Sequence, residues 1–418
     1  MGNFIKRMRV SKVMLRGVVK RGVDFFKRQR SPFKVNIVKN LVQNFSMGLT
    51  QQYQSIYITE LGADPLQLGL ASSVGGLANA LVTIPAGWLA DRFGIRRVML
   101  ASLLLGALGY SLFGFARGWQ STVLALVVTS LSWGVGMVVC PMVCGSTLRN
   151  EERATGMQIC DTIAALPRIV APIFAAYLIT FFGGINAEGI RPLYWIEVGG
   201  FLLAALVIFR YFEDPREGQT IEPTPLLDGI KRVLREGVMV KRWIVYILLS
   251  TFPMFMSIYI PLYARELKGA DQFVLGLMDT AYWLVIVLLA LPIGLSADRL
   301  GRKKVVMLLT PIYCASLMLL LYAPNDAVLV LAGLLNGFIM LASVTQGAIT
   351  VELVPQELLG SWFGMLGLFR GLANVIAPAL GGLLWKTLGP AHVLYFLALT
   401  QLVKLPILAS MPSSKTGG

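Results

Sequence analysis

The sequence predicts an all-α membrane protein of twelve transmembrane helices, arranged as two six-helix bundles related by pseudo-twofold symmetry. The chain of 418 residues is 56% hydrophobic and only 14% charged, which is more apolar than a water-soluble protein can bury. A motif of glycines and charged residues at 87–98 returns at 294–305, each time between two apolar segments. Because the two copies stand at a fixed offset, we infer that one half of the chain duplicates the other.

Twelve apolar segments follow the first 32 residues, and each can cross a hydrocarbon core of roughly 30 Å at about 1.5 Å per residue. We number them spans 1 to 12, and they cover residues 34–59, 66–90, 96–116, 121–147, 153–182, 192–212, 241–265, 273–297, 303–323, 327–350, 358–386 and 391–411. A polar linker at 213–240 separates an N-terminal bundle (33–212) from a C-terminal bundle (241–412), and a tail follows at 413–418.

The distribution of Lys and Arg predicts that both termini are cytoplasmic. With that topology, 28 of the 37 basic residues lie on the cytoplasmic side and 5 lie in outer loops, as the positive-inside rule requires. We therefore expect an integral protein of the cell membrane (plasma or inner membrane). The net charge of +15 belongs to this asymmetry, so we expect no nucleic-acid partner.

The first 32 residues carry ten basic side chains and one acid. In a helical projection their apolar side chains gather on one side, which favours a cytoplasmic amphipathic helix lying on anionic lipid. A disordered basic tail and an organelle transit peptide are the alternatives.

The repeated motif has the form Gly-x-x-x-Asp-Arg-x-Gly-x-(Arg/Lys)-(Arg/Lys) and joins spans 2 and 3, then spans 8 and 9. Together with the six-plus-six repeat, it resembles the major facilitator superfamily over residues 33–412. The resemblance implies a secondary transporter whose central cavity opens alternately to each side. Physical chemistry favours a cytoplasmic gate built from Gly87, Asp91, Arg92, Arg96, Arg97, Gly294, Asp298, Arg299, Lys303 and Lys304.

Each residue type in the motif suits a gate for a physical reason. Gly87 and Gly294 remove side chains where a neighbouring helix has to approach closely. Asp91 and Asp298 end a helix on the cytoplasmic side, where each can face the positive N-terminus of a helix in the other half. The alternative is that the motif only enforces topology, which explains its basic residues but not the repeated acid.

Span 1 carries eight polar side chains on one broad helical face, and inside a bilayer such a face points at protein or water. They are Asn36, Lys39, Asn40, Gln43, Asn44, Thr50, Gln51 and Gln54. We interpret this face as the lining of a cavity in which Asn40, Gln43 and Gln51 contact the substrate. A structural polar seam between helices is the alternative.

Two arginines are expected near the middle of the membrane, Arg168 in span 5 and Arg370 in span 11, where a guanidinium needs an acceptor. Aligning the Ala-Pro pairs of these repeat-related spans places Asn374 opposite Arg168. One interpretation is internal pairing, with Asp161 and Asp279 as the partners. The other is a substrate anion held between the two arginines, and both interpretations stay open.

Other charged and aromatic residues extend the predicted site. A carrier needs a titratable group exposed alternately to each side, and Asp161 and Asp279 are the candidates for proton coupling. Lys39 lies at a depth similar to that of Asp161 and can pair with it. Trp133 and Tyr259 can contact an apolar part of the substrate, although packing explains each of them alone. Two further charged residues, Glu197 and Lys404, are expected to snorkel to the membrane surface.

These features predict a secondary active transporter that couples a small organic solute, preferably an organic anion, to an ion gradient, most simply of protons. A multidrug/proton antiporter is the alternative. Such exporters usually carry an arginine four residues before a glycine in span 4, and here Ser130 precedes Gly134 in that way. Span 5 has Ala171-Pro-Ile-Phe-Ala-Ala176 where exporters have Gly-Pro-x-x-Gly-Gly. A non-transporting membrane sensor is disfavoured because both motif copies are intact.

The sequence predicts neither an enzyme nor a cofactor site. It contains one histidine, and no nucleophile–base pair or zinc-ligand spacing is visible. Cys140 and Cys144 share a helix face that can hold a soft metal, but small buried apolar side chains are the favoured interpretation. We expect a monomer.

Overall fold

The computed structural model describes residues 28–148, 153–214, 238–353 and 359–411, and every regular element within these ranges is an α-helix. Sixteen helices follow in chain order: α1 (Ser31–Thr50), α2 (Gln54–Glu60), α3 (Pro65–Phe93), α4 (Ile95–Phe115), α5 (Trp119–Thr147), α6 (Arg153–Ala165), α7 (Pro167–Phe181), α8 (Ala187–Tyr211), α9 (Val238–Met256), α10 (Tyr259–Lys268), α11 (Gln272–Leu300), α12 (Arg302–Tyr322), α13 (Asp326–Asn336), α14 (Phe338–Glu352), α15 (Leu359–Thr387) and α16 (Pro390–Ala409). The predicted amphipathic segment falls mostly outside the described residues, as do most of the linker and the tail.

The helices confirm the predicted all-α membrane fold. Eleven stretches of the described residues are long and apolar enough to cross a membrane, and they correspond to spans 2–12. Span 1 is too polar to count among them because of the amide side chains on α1. Spans 1, 5, 7 and 10 are each divided into two helices, which the sequence analysis did not predict. The break in span 5 follows from Pro167, which lacks a backbone N–H.

Repeat-related residues begin and end the long helices α3 and α11. The Asp64 and Asp271 carboxylates cap their N-termini by accepting backbone N–H groups three residues later, at 2.7 Å and 2.8 Å. Gly94 and Gly301 end the same helices with φ of 87° and 94°, a conformation that favours glycine. The second glycine of each motif copy is therefore required by the turn. We call the two ends of the bundle the Asp64 end and the Asp91 end.

The two halves meet along two repeat-related helix pairs, α3 with α15 and α7 with α11. The backbone N–H of Ala379 donates to Ser73 Oγ at 3.0 Å in the first pair. Thr280 Oγ1 donates to the carbonyl of Ile169 at 2.9 Å in the second. Each half thus contributes a hydroxyl group to the interface.

Tyr53 joins the halves near the Asp64 end. Its hydroxyl oxygen lies 3.2 Å from the carbonyl oxygen of Pro172 in its own half and 2.8 Å from that of Gln272 in the other half. The single phenolic proton is donated to one or the other. A Cβ atom on Gly276 would lie 2.8 Å from the Pro172 carbonyl oxygen, so the close approach of α7 and α11 requires glycine there.

Tyr259 repeats this arrangement in the C-terminal half. Its hydroxyl oxygen lies 2.8 Å from the carbonyl oxygen of Pro378 in its own half and 3.1 Å from that of Pro65 in the other half. A Cβ atom on Gly69 would collide with the Pro378 carbonyl and the Tyr259 hydroxyl. We refer to Tyr53 and Tyr259 as the tyrosine pair.

A salt bridge lies at the same end. Lys386 Nζ is 3.1 Å from Asp64 Oδ2, and the two side chains are 56% and 40% exposed. The backbone N–H of Gln67, assisted by Lys386, holds the pKa of Asp64 below its usual value. Because both partners are solvated, this salt bridge contributes little to stability.

Candidate functional site

Arg168 is buried where α7 faces α1. Its Nε donates to Asn44 Oδ1 at 2.7 Å, and its Nη1 donates to Gln51 Oε1 at 2.7 Å. The two helices approach closely at Gly48, where an added Cβ would lie 2.8 Å from the Ala171 Cβ. Neutral amides from span 1 therefore orient this guanidinium without neutralising its charge.

The C-terminal half completes the site. The Arg168 guanidinium carbon lies 4.7 Å from the centroid of the Trp283 ring on α11, a cation–π contact. Asp279, one turn earlier on α11, interacts electrostatically with Arg168. No carboxylate of the described residues lies within salt-bridge distance of Arg168. We call Arg168, Asn44, Gln51, Trp283 and Asp279 the Arg168 cluster.

Asp161 pairs with neither Arg168 nor Lys39 in this conformation. Arg168 bonds to span 1 instead, and the exposed Asp161 makes no hydrogen bond with the described residues. Residues seven apart in a continuous helix share a face, which was the basis for pairing Asp161 with Arg168. Arg168 turns instead toward α1, where two amide oxygens supply its acceptors. Lys39 is buried and faces the thiols of Cys140 and Cys160, not Asp161.

Amide and thiol groups pack together beside Lys39. The Nδ2 of Asn36 lies 3.5 Å from Cys140 Sγ, and the Nδ2 of Asn40 lies 3.5 Å from Cys160 Sγ. Asn40, a predicted substrate contact, thus has its side-chain donor directed at sulfur in this conformation. Within the described ranges, no three His, Cys, Asp or Glu residues are grouped so as to hold a metal.

The remaining predicted contacts do not touch the Arg168 cluster in this conformation. Arg370 is exposed and bonds to no described residue. Asn374 packs against Gly76, where an added Cβ would lie 3.0 Å from Asn374 Cγ. Gln43 is half-buried, and Trp133 is 42% exposed.

Tyr259 has a different position from the one expected of a substrate contact. Its ring is fully buried, and its hydroxyl is occupied by the two carbonyl groups that join the halves. Tyr53, which was not among the predicted site residues, has the same role. The equal spacing of Tyr53 and Tyr57 and of Tyr259 and Tyr263 was the available signal.

The basic residues of the motif fasten helices within each half at the Asp91 end. The Arg96 backbone N–H donates to Asp214 Oδ2 at 3.0 Å, and its guanidinium donates to the Phe209 carbonyl at the end of α8. Lys303, its repeat equivalent, donates to the carbonyl of Ala409 at the end of α16. Cations at helix C-termini complement exposed carbonyl groups.

The two motif glycines thought to permit helix contact have open surroundings. A Cβ on Gly87 would lie 3.8 Å from the nearest atom, on Val138, and one on Gly294 would meet nothing within 4 Å. In this conformation no neighbouring helix approaches closely at either position. Asp91 is exposed, and the side chain of Asp298 lies outside the described part of the chain. The gate assignment stays a prediction.

The rest of the motif gives less information. Arg92 lies over the rings of Trp88 and Phe93, at 5.1 Å and 5.6 Å. Arg97 and Arg299 are exposed, and Lys304 is exposed beside Lys303.

The predicted positions of two charged residues are wrong. Glu197 and Lys404 were expected to snorkel to the membrane surface, but each is 0% exposed. Their helices, α8 and α16, turn these side chains toward the interior of their own halves. An acid in the middle of an apolar segment is costly to expose to lipid, and this was the signal in the sequence that Glu197 faces the protein interior.

The Arg168 cluster can bind an anion. A guanidinium has five N–H donors, and amide oxygens occupy two of those on Arg168. The planar group suits bidentate contact with a carboxylate or phosphate. Because residues of both halves form the cluster, movement between the halves changes its geometry.

The family model described as Major Facilitator Superfamily matches residues 41–273 and 257–409. The chain is 21% identical to the probable galactarate/D-glucarate transporter of Escherichia coli (strain K12), over 79% of this chain and 81% of that protein. It is 23% identical to a multidrug resistance protein of Proteus mirabilis (strain HI4320), over 84% and 88% of the two chains. Its fold is similar to that of the nucleoside transporter NupG, with a TM-score of 0.75, 14% identity and coverage of 91% and 99%.

Proposed function

The chain belongs to the major facilitator superfamily, and on that premise we propose that it carries a small organic anion across the membrane by alternating access, coupled to protons. It is an integral membrane transporter of small solutes and not an enzyme. The anion preference, the coupling ion and the roles of individual residues are the proposed part.

The observation that carries the proposal is the charge on Arg168. Its guanidinium is buried, oriented by two neutral amides and not neutralised by an ion pair. Burying a cation in this way is costly unless an anion compensates for it. When Asp279 is protonated, a substrate carboxylate supplies that anion, and in a low dielectric its charge-assisted contacts are strong.

Arg370 is proposed as the second anion anchor, with Asn374 one turn away. Its guanidinium forms no bond with the described residues, so its donors are available to a ligand. We propose that the substrate bridges the halves when they close around it. Trp133 and Gln43 then contact its uncharged part.

Proton coupling is assigned to Asp279, with Asp161 as the second candidate. Asp279 interacts with Arg168, and an ionised Asp279 therefore competes with a substrate anion for the guanidinium charge. Protonation of Asp279 removes that competition, so the proton and the anion bind together. Asp161 is exposed, and a role for it requires proton exchange on the Asp91 side.

Alternating access requires that the two ends of the bundle open in turn. The predicted topology puts the Asp64 end outside, so the tyrosine pair closes the outer side in this conformation. The motif residues at the Asp91 end, including Asp91, are proposed as the cytoplasmic gate. The N-terminal bundle, the linker and the C-terminal bundle would then move as the predicted domains.

The test is ligand stabilisation of the purified protein by D-glucarate, compared with the lipophilic cation ethidium. A ligand of the folded state raises the midpoint of thermal unfolding by mass action. We expect D-glucarate to stabilise the wild type. Arg168→Lys and Arg370→Lys retain the charge but lose the planar fork, so each should weaken binding by about tenfold.

Arg191→Lys is the matched control. Arg191 donates to the Ala116 carbonyl at 3.1 Å, away from the cluster, and this variant should bind D-glucarate like the wild type. Stabilisation by ethidium alone, with both site variants unaffected, would replace the proposal with multidrug export.

A further inference from the structure

Glu197 is an acid that the proposed transport mechanism leaves unused. It lies on α8 with 0% exposure, and its Oε2 accepts a hydrogen bond from Thr50 Oγ1 at 2.5 Å. Its Oε1 is buried and makes no hydrogen bond of good geometry, and the Tyr110 hydroxyl is the donor that interacts with this carboxyl group. An ionised carboxylate with an unsatisfied oxygen is costly in a membrane-spanning segment, which marks this residue as a functional candidate.

Few charged groups face Glu197 from the helices that pack against α8. They are α1, α2, α4 and α7. Tyr110 of α4 and Arg168 of α7 interact with the carboxyl group electrostatically. Tyr194 lies one turn earlier on α8, with Tyr57 of α2 beyond it at a ring-centroid distance of 4.9 Å. Arg168 is therefore the cation whose charge Glu197 influences.

We propose that Glu197 is a second proton-binding residue of the Arg168 cluster, and that its protonated form is the one that accepts the substrate anion. This inference rests on the proposed function, because it assigns a role in anion binding at the same site. Glu197 does not contact the substrate itself. It acts through Thr50 and through the local charge balance.

The Thr50 hydroxyl changes its hydrogen-bond direction with the proton on Glu197. When Glu197 is ionised, Thr50 Oγ1–H donates to Glu197 Oε2. When Glu197 is protonated on Oε2, its O–H donates to Thr50 Oγ1, and the Thr50 proton turns to the Met47 carbonyl, which lies 3.5 Å from Oγ1. The ionised state has one proton, on Thr50, and the protonated state has two, one on Thr50 and one on Glu197. The additional proton is the one that Glu197 binds.

This rearrangement occurs next to the anion site. Thr50 is the last residue of α1, and the following residue, Gln51, holds Arg168 Nη1. Met47 also touches the guanidinium, with its sulfur 4.0 Å from Nη2. A change at Thr50 is therefore transmitted to two of the contacts that position Arg168.

Charge balance gives the direction of the effect. Arg168 interacts with two carboxyl groups, Asp279 from one half and Glu197 from the other. If both are ionised, the three groups together carry a net negative charge that repels an anion. One proton makes the group neutral, and two protons leave the positive charge that a substrate carboxylate needs.

Two measurements test the proposal, and the first requires no substrate. Infrared spectra of the wild type between about pH 5 and pH 9 should show the carbonyl band of a protonated buried carboxyl group, and that band should lose intensity as the pH rises. Glu197→Gln should remove the part of the band that comes from Glu197 and leave any part from Asp279, because glutamine retains the size of the side chain but cannot ionise. Glu188→Gln, an exposed position on the same helix, should retain it.

The second measurement is proton uptake on binding of D-glucarate, by calorimetry in buffers of different ionisation enthalpy. Glu197→Gln should take up about one proton fewer per anion bound, with a correspondingly shallower dependence of log Kd on pH. Thr50→Val, which removes only the hydroxyl, should shift the pH midpoint of binding. It also serves as the second variant if Glu197→Gln folds poorly.

The outcomes separate the two claims. If no probe anion binds to the wild type, the proposed function fails, and the infrared band still decides whether Glu197 holds a titrating proton. If anions bind but Glu197→Gln retains the wild-type band and proton uptake, the proposal for Glu197 is overturned. A wild-type spectrum without such a band overturns it as well.

Discussion

The tyrosine pair makes a quantitative prediction about the balance between open and closed conformations. Tyr53→Phe and Tyr259→Phe each remove one hydroxyl group that bonds across the halves, at 2.8 Å and 3.1 Å. A net hydrogen bond of this kind contributes about 1 kcal/mol. Each variant should therefore raise the population open at the Asp64 end by up to about fivefold, and the double variant by up to about 30-fold.

The assay is labelling of a reporter cysteine by a membrane-impermeant maleimide. Ala379→Cys places the reporter at the interface, beside Ser73, and keeps the backbone hydrogen bond between the two residues. The four native cysteines are first replaced. Labelling of this reporter requires separation of α3 from α15, so its rate follows the open population when opening is rapid.

Tyr57→Phe is the matched control. Its hydroxyl donates to the Phe113 carbonyl at 2.8 Å, the same chemistry within one half. This variant should label at the wild-type rate. If the double variant of Tyr53 and Tyr259 also labels at the wild-type rate, the hydroxyl groups do not hold the halves together and the closure argument is refuted.

Three further predictions concern the two ends of the bundle. Gly69→Ala should destabilise the closed interface by about 1–3 kcal/mol and speed reporter labelling, whereas Gly136→Ala, where an added Cβ meets nothing within 4 Å, should do neither. Asp91→Asn should shift the population toward opening at the Asp91 end, and unchanged cysteine labelling there with full transport would exclude its gate role. Lys386→Gln should lower the free energy of unfolding by less than about 1 kcal/mol at neutral pH. Since the pKa of Asp64 is lowered in the folded state, this contribution is present above about pH 3.9 and is lost at lower pH; a variant effect that grows on acidification would contradict this.

Periodicity and repetition were enough to predict the fold. The duplicated motif and the apolar segments gave spans 2–12, and the repeated Ala-Pro pairs of spans 5 and 11 correspond to the carbonyl groups that receive the tyrosine hydroxyls. Each of these features is a short stretch of sequence. A short stretch can be recognised with more certainty when it occurs twice at corresponding positions of the two halves. The all-α membrane fold of the superfamily is confirmed at that level.

The candidate site was only partly predictable. Arg168 and Gln51 were both singled out, but their direct bond was not predicted. Arg168 does not pair with Asp161 because amide oxygens of span 1, more than 100 residues away in sequence, accept its N–H groups. Glu197 was misjudged for a different reason, because hydropathy gives no information on which side of an outer helix faces protein. Such contacts depend on how helices distant in sequence rotate against each other.

The polarity of α1 has a consequence for the order in which the protein is inserted into the membrane. Because α1 is synthesised before spans 4 and 5, it enters the membrane with amide side chains that an isolated helix cannot satisfy in lipid. Asn36 and Asn40 find their sulfur partners 104 and 120 residues later, and Asn44 bonds to Arg168, 124 residues later. Span 1 is therefore stably accommodated only after spans 4 and 5 have emerged from the ribosome. Until then, α1 depends on the insertion machinery to shield its polar face.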